Sequence, residues 1–330
     1  MGIQVETGFD GSAAVLDWLS FTLPFDDALG LSSVGAAASW LANAVFGGGV
    51  PLDRGRYGYT SSYAVLGSGA VLWHDDRAEM GVHVELPATA LAACGMAVHD
   101  LLAFVVRHGG HATRIDLALD TDTPIDTFRR AILDGEAVTK SHIKKSFEMK
   151  SLFPDDNGLV GHTIYIGSAS SERRVRIYDK AAETGDSSRV WTRIEVQHRA
   201  SAAEALLVLL HDSGDRDGAS VCQSAVCGAI DFRRGDGNVS RQTRSPWWSS
   251  IVGGVNRWRF RVVSVPATVE RAYDWVCQQV ASSLALVSAS FGGDSWLEHV
   301  LTYGSGRMSE LQRSIAMQYR AQLSMEQSTC

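Results

Sequence analysis

The 330-residue sequence has five cysteines, seven prolines and no long uninterrupted apolar run. Each shortage excludes a class of protein. Cys94, Cys222, Cys227, Cys277 and Cys330 are odd in number and scattered, which argues for reduced thiols and against a disulfide framework. Cys222 and Cys227 have no second Cys or His pair nearby, so a structural zinc site is not supported. The longest apolar stretch, residues 34–46, is broken by Ser39 and Asn43 and is too short for the roughly 20 residues of a membrane span. The N-terminal residues lack the basic and apolar regions of a signal peptide, and the Ser or Thr of a myristoylation signal. These absences lead to the expectation of a cytoplasmic protein without membrane contact. No heptad is sustained, and no GxxxxGK[ST] loop is present, so strand separation would need a partner helicase.

What is there is ordinary globular material, 45% hydrophobic and 20% charged. A chain of this length buries about 75% of its unfolded surface without staples. The net charge of −7 is no bar to nucleic acid, because phosphate is met by local patches. Acidic residues gather toward the front, among them Glu6, Asp10, Asp17, Asp26 and Asp27. Between residues 231 and 261 the balance reverses. Arg233, Arg234, Arg241, Arg244, Arg257, Arg259 and Arg261 face only Asp231 and Asp236, with Trp247, Trp248, Trp258 and Phe260 interleaved. Arginine beside aromatic rings suits phosphate contact and base stacking. It equally suits an Arg-rich strand over core tryptophans, and composition leaves both readings open.

Alternation predicts strands over residues 17–23, 57–66, 70–74, 80–86, 113–120, 145–151, 163–168, 174–179 and 191–199. Helical periodicity covers 87–107, closed by His108-Gly109-Gly110, and 201–211, closed by Ser213-Gly214. Thr123-Pro124 predicts a capped helix start running to about 133. Past residue 213 the texture becomes Gly/Ser/Arg-rich up to Trp247, then helical from 268, so a boundary is expected near 213. The fold class is α+β: a mixed or antiparallel sheet with a catalytic polar face, helices on the other face, and a smaller, mostly helical C-terminal part.

In a strand, residues i, i+2 and i+4 share a face. Ile115, Leu117 and Leu119 therefore oppose Arg114, Asp116 and Asp120. Val175 and Ile177 oppose Arg174, Arg176, Tyr178 and Lys180. Ile194 and Val196 oppose Arg193, Glu195 and Gln197, while Val82, Val84 and Leu86 oppose His83 and Glu85. A plain wet face would carry mostly Thr, Ser, Lys and Glu. This one carries carboxylates suited to a hard divalent cation such as Mg²⁺ or Mn²⁺. It also carries a tyrosine flanked by Arg and Lys, whose charges favour the phenolate needed for attack on phosphorus. Arg176 lies on the same side as Tyr178 and can neutralise charge in the transition state.

The run Tyr165-Ile166-Gly167-Ser168-Ala169-Ser170-Ser171-Glu172, followed by Arg176-Ile177-Tyr178-Asp179-Lys180, resembles the signature of the replication initiation factor (Rep_trans) family. These are rolling-circle initiators of plasmids and filamentous phages, with related relaxases of conjugative elements. Residues 17–21, 80–85, 114–120, 191–195 and 245–248 extend the resemblance in order along the chain. It implies strand-specific nicking of origin DNA by a tyrosine, leaving a 5′-phosphotyrosyl link and a free 3′-OH. The Arg-x-Tyr match puts the nucleophile at Tyr178, supported by Arg176 and Lys180, with Tyr165 as a competing nucleophile. The implied metal ligands are Asp116 and Glu195, with Glu85 ranked ahead of His83 and Asp120 as the third. The chain lacks a His-hydrophobe-His pair, so a His-His relaxase site is in doubt.

Residues 1–213 would form the nuclease and strand-transfer part, and 214–330 the DNA-recognition part. Arg114, Arg193, Arg233, Arg234, Arg241, Arg244, Arg257 and Arg259 would contact DNA, with Trp247 or Trp248 stacking on melted bases. Origin DNA with a single-stranded or melted nick site, a host helicase and polymerase, and a second protomer are the implied partners. Two other readings stand beside this one: an origin-binding repressor without catalysis, and a Mg²⁺ endonuclease that uses water.

Overall fold

The computed structural model describes residues 14–25, 31–142, 144–150, 159–186, 188–213, 218–235, 241–253, 273, 276–291, 295–306 and 316. Arg257, Arg259, Arg261, Trp258, Phe260, Glu6, Asp10, Asp26 and Asp27 lie outside the described residues. The chain divides into two compact units, Met1–Arg261 and Val262–Cys330.

The first unit is built on an antiparallel ten-stranded sheet. Its strands are β1 (Val15–Leu23), β2 (Gly49–Leu52), β3 (Ser61–Val65), β4 (Gly69–Trp73), β5 (Val82–Pro87), β6 (His111–Thr121), β8 (Lys144–Lys150), β9 (Leu159–Ile166), β10 (Arg173–Asp179) and β11 (Thr192–Arg199). Their order is β2-β3-β4-β5-β1-β6-β11-β10-β9-β8, and every pairing is antiparallel. β7 (Ala137–Val138), β12 (Asp231–Arg234) and β13 (Thr243–Arg244) form a small separate sheet in the order β13-β12-β7.

The apolar half of each alternating strand makes the core. Leu19, Phe21, Ile115, Leu117, Leu119, Ile177, Ile194 and Val196 are fully buried on one face. Each contributes roughly 1.5–3 kcal/mol by leaving water. Helices cover that face. α1 (Val34–Trp40) runs into a π-helical turn, Leu41–Val45, and is followed by α2 (Ala88–Ala93) and α3 (Val98–Arg107). After α4 (Ile125–Leu133) and the short α5 (Lys180–Thr184) come α6 (Ser201–Asp212), α7 (Ala219–Ala229) and α8 (Pro246–Val252). On α6, Ala203, Leu206, Leu207 and Leu210 follow the i, i+3, i+4, i+7 stripe of a core-facing helix. The described part of the second unit is helical: a π-helical turn at Val276–Val280, then α9 (Ala281–Phe291) and α10 (Ser295–Ser305). No helix among the described residues is long and apolar enough to cross a membrane.

Four local expectations differ from the structure. The strand expected over 57–66 begins only at Ser61, because Tyr57 and Gly58 take positive φ in a tight turn closed by the Tyr59 N–H to the Arg56 carbonyl at 3.1 Å. Residues 87–107 form two helices, because the chain leaves α2 at Cys94, extended at φ −67°, ψ 126°. Pro124 occupies the N-cap of α4 itself, and no side chain caps that end. Within the stretch taken as Gly/Ser/Arg-rich, Ala219–Ala229 is a buried helix whose small residues, Cys222 and Cys227 included, pack closely. The expected boundary near 213 falls between α6 and α7, both in the first unit.

His198 is the exception on the core face of β11. It is wholly buried, and burial, reinforced by the nearby Arg173 charge, lowers its imidazole to about 3 from the ordinary 6.5. The neutral ring's contribution is therefore complete above pH 6.5 and is lost as pH falls toward 3. Urea midpoints measured from pH 7.5 down to 4 should drop more steeply for wild type than for His198→Leu. Parallel curves would contradict a buried neutral imidazole.

Candidate functional site

The polar face has the composition expected from alternation, and register sets who meets whom. Across β10, β11 and β6, Arg176 pairs with Glu195, which pairs with Ala118. One pleat away, Tyr178 pairs with Arg193, and Arg193 with Asp120. In the other direction Gln197 pairs with Asp116, and Asp116 with Trp18 of β1.

Tyr178 is 4% exposed, roofed by Arg176, whose guanidinium carbon is 3.8 Å from the ring centroid; the Lys180 ammonium is 5.7 Å away. Neighbouring cations alone would favour the phenolate. Burial is the larger effect here and pushes the phenol well above its ordinary value, with Arg193 and Arg176 only partly opposing it. Among the described residues its hydroxyl has no hydrogen-bond partner. Arg176 bonds Glu183 at 3.0 Å and lies 3.6 Å from Glu195. Lys180 also pairs with Glu183, so both supporting cations are tethered by that one carboxylate. Burial opposes ionisation of Glu183, but Lys180 and Arg176 outweigh it and hold the group below its usual range.

Asp116, buried, and Glu195, half-buried, form an acidic pair. Burial raises both, the Asp17 charge raises both, and Asp116 further raises Glu195. Glu195 reaches about 7, with Arg176 and Arg114 restraining it. Asp116, 1% exposed, takes both carboxylate oxygens to the Arg114 Nε at 3.0 Å. Arg114 in turn lies over the Trp18 ring at 4.4 Å. Arg193 is held bidentately by Asp120 at 2.7 and 2.8 Å and by Asp17 at 2.9 Å.

Sequence reasoning missed Asp17 and Glu183 as members of this site. Strict alternation puts Asp17 on the face of Leu19 and Phe21. A β-bulge between Leu16 and Trp18 turns it to the polar side instead. Glu183 follows the strand on a one-turn helix, where its i+3 spacing from Lys180 is the legible signal.

Other expected residues are placed elsewhere. Glu85 lies two strands from Asp116, paired with Arg56 and 3.9 Å from His83, so the three carboxylates do not converge. Among the described residues no three His, Cys, Asp or Glu side chains form a metal cage. Asp116 and Glu195, on adjacent strands of one face with the Asp116 charge raising Glu195, still suit Mg²⁺ or Mn²⁺, which commonly takes one or two carboxylates and completes its shell with water and substrate phosphate.

The Arg-rich segment splits. Asp231, 0% exposed, accepts from Arg233 at 2.7 Å, Arg244 at 3.0 Å and the Trp248 indole at 2.8 Å. Trp248 is fully buried against Phe128 and Phe232, and Trp247 packs edge-on to Phe128. Trp248 thus serves the core and is closed to base stacking in the fold. Arg241 and Arg234 are exposed, and Arg234 is bonded to Glu136 at 2.8 Å.

Known proteins resemble this chain in sequence and in fold. The profile of the replication initiation factor family matches residues 110–301, which include β6, β10 and β11. NicK of Bacillus subtilis (strain 168), named as a candidate DNA relaxase, is 24% identical over 204 residues. That match covers 57% of this chain and 56% of NicK, so the chain spans little more than half the length of that relative. A solved rolling circle replication initiator protein from Geobacillus stearothermophilus is similar at a TM-score of 0.61 and 25% identity, covering 76% of this chain and 98% of that one.

Proposed function

This chain belongs to the replication initiation factor family, and from that premise we propose that it is a relaxase-like rolling-circle initiator that nicks and rejoins origin DNA. The observation that carries the reading is the cation-roofed Tyr178 one strand from Glu195 and two from Asp116, on one sheet face inside the matched segment.

The Tyr178 phenol gives up its proton and its oxygen attacks phosphorus, forming a 5′-phosphotyrosyl bond as the P–O3′ bond breaks. The departing 3′-oxygen takes up one proton to become a 3′-OH, so that in net the phenol's proton is transferred to the 3′-oxygen. Substrate phosphate brought against Arg176 and Lys180 competes with Glu183 for those cations and opens the roof over the ring. Arg176 then faces the charge that builds on the non-bridging oxygens. Arg193, locked between Asp17 and Asp120, fixes the register of β11 against β6 beside the tyrosine and acts by position. Asp116 and Glu195 would hold the Mg²⁺ or Mn²⁺, which when bound polarises the phosphate and stabilises the leaving oxygen. Rejoining is the same exchange in reverse. A second protomer is the proposed source of the second nucleophile, and host helicase and polymerase the partners downstream. Exposed Arg234 and Arg241 would meet duplex phosphates.

One observation favours a second nucleophile. Tyr165, on neighbouring β9, is less buried than Tyr178, pairs across from Arg176 and carries Arg174 at 4.1 Å over its ring. The test uses supercoiled DNA bearing the origin, with Mg²⁺ or Mn²⁺, on a denaturing gel. Wild type and Tyr165→Phe should yield a protein–DNA adduct and Tyr178→Phe none. An adduct lost only in Tyr165→Phe transfers the role to that residue. Nicking without adduct in any of the three points to water, and tight origin binding without nicking points to a repressor.

A further inference from the structure

Outside the family-matched residues, the loop joining β2 to β3 brings a second group of aromatic and basic side chains to the catalytic face. Resting on the reading of this chain as a DNA nickase, we propose that this loop, residues 53–60, grips single-stranded DNA. Tyr57 stacks on a base, and Arg54 and Arg56 meet the flanking phosphates.

The loop is built rather than slack. Tyr59 N–H donates to the Arg56 carbonyl at 3.1 Å, Gly55 N–H to Thr60 at 2.9 Å, and the Ser62 hydroxyl to the Arg54 carbonyl at 2.9 Å. A Cβ at Gly55 would fall 2.2 Å from the Tyr59 carbonyl oxygen, so only glycine closes this turn. At its tip Tyr57 (φ 57°) and Gly58 (φ 87°) are both left-handed, the signature of a primed turn, where Asn or Gly is usual. A tyrosine there carries backbone strain that glycine or asparagine would escape. Its ring gains little packing in return, since Tyr57 is 70% exposed. Strain spent on presenting an aromatic ring to solvent calls for a ligand.

The surroundings identify that ligand. The face of the loop toward the sheet is fixed: Tyr59 stacks on His83 at 5.7 Å, and the Thr22 hydroxyl meets His83 Nδ1 at 2.9 Å. Arg56 bonds Glu85 through Nε at 2.8 Å, yet remains half-exposed, with its guanidinium carbon 5.7 Å from the Tyr57 ring. Arg54 is exposed and has no ion pair among the described residues. An open π-face between two arginines matches alternating bases and phosphates, and a lone ring reads stacking rather than sequence. Duplex DNA hides its base faces. His83 and Glu85 put the loop over β5, four strands from Tyr178. At ~4.8 Å per strand that is about 19 Å, the length of about six stacked nucleotides. The loop would therefore hold the strand a few nucleotides from the nick.

Fluorescence anisotropy of the full chain with a labelled thymidine oligonucleotide of about 20 nucleotides tests this. Tyr57→Gly, which removes ring and strain together, should weaken binding about 5- to 150-fold while leaving the melting temperature unchanged or higher. Tyr57→Trp should bind like wild type. Unchanged affinity in Tyr57→Gly, or an equal loss on a duplex of the same length, overturns the proposal. Wild type that forms the nicking adduct while Tyr57→Gly binds normally overturns this inference alone. Wild type that neither forms the adduct nor binds the oligonucleotide overturns both.

Discussion

Glu195→Gln is expected to reduce metal-dependent strand cleavage by about 10²–10³-fold or more and, in the same protein, to raise metal-free stability above pH 7. The two effects have one cause. Burial and the Asp116 and Asp17 charges raise the Glu195 carboxyl to about 7 from an ordinary value of 4.5. Its favourable contribution belongs to the protonated form, so it is complete below pH 4.5 and is lost as pH rises through 7. At ~1.4 kcal/mol per pH unit of displacement, ionising Glu195 in the metal-free fold costs about 3 kcal/mol. Glutamine keeps the neutral shape and escapes that cost. Thermal melts at pH 6 and 8, with and without Mn²⁺, separate the contributions. Wild type should gain stability from Mn²⁺ chiefly at pH 8, and the variant should gain little at either pH. Full cleavage by Glu195→Gln would remove Glu195 from the proposed metal site. Equal wild-type and variant stability at pH 8 without metal would contradict the carboxylate repulsion.

A comparable loss, in stability alone, is expected at Asp231. Its carboxylate is fully buried and satisfied by Arg233, Arg244 and Trp248. Asp231→Asn keeps the volume but leaves two guanidinium groups facing a neutral amide. Breaking a buried ion pair from one side costs about 3–5 kcal/mol, because the remaining charge stays desolvated. Urea unfolding should show the midpoint displaced with an unchanged slope. A loss below about 1 kcal/mol would mean that Arg233 and Arg244 are as free as surface residues and available to phosphate. The outcome therefore bears on DNA binding too: weak origin binding by Arg233 or Arg244 variants would follow from lost folding unless stability is matched.

Period-2 alternation was a sufficient guide to the polar face because each central strand has one wet and one dry side. Arg114, Asp116, Arg176, Tyr178, Arg193 and Glu195 all lie on the side that parity assigns them. Parity carries no information about who sits across from whom. Glu85 shares the face with Asp116, but β1 intervenes and Arg56 takes its carboxylate. Asp17 breaks parity through a bulge, which leaves no mark in an apolar-polar pattern. The Arg-Trp segment had two open readings, and the difference lay in Asp231. One acid between several arginines looks outnumbered in composition, yet a buried one collects two of them and an indole. Helix α7 escaped notice because Ala, Ser, Gly and Cys mark loops by composition, while the same small side chains let a helix approach a sheet closely.

The order in which the sheet's strands leave the ribosome differs from their order in space. β1 emerges first, but its neighbour β6 is some 90 residues later, and β6 waits for β11, about 70 residues later still. Asp17 is thus made early and meets Arg193 only when the strand carrying it arrives. Until then neither the acidic pair nor the tyrosine's setting exists, and no shorter nascent piece holds a working subset. Closing such long loops is slow, so newly made chains should reach activity with a lag set by folding. The nicking activity proposed for this chain would then be acquired all at once, in finished molecules only.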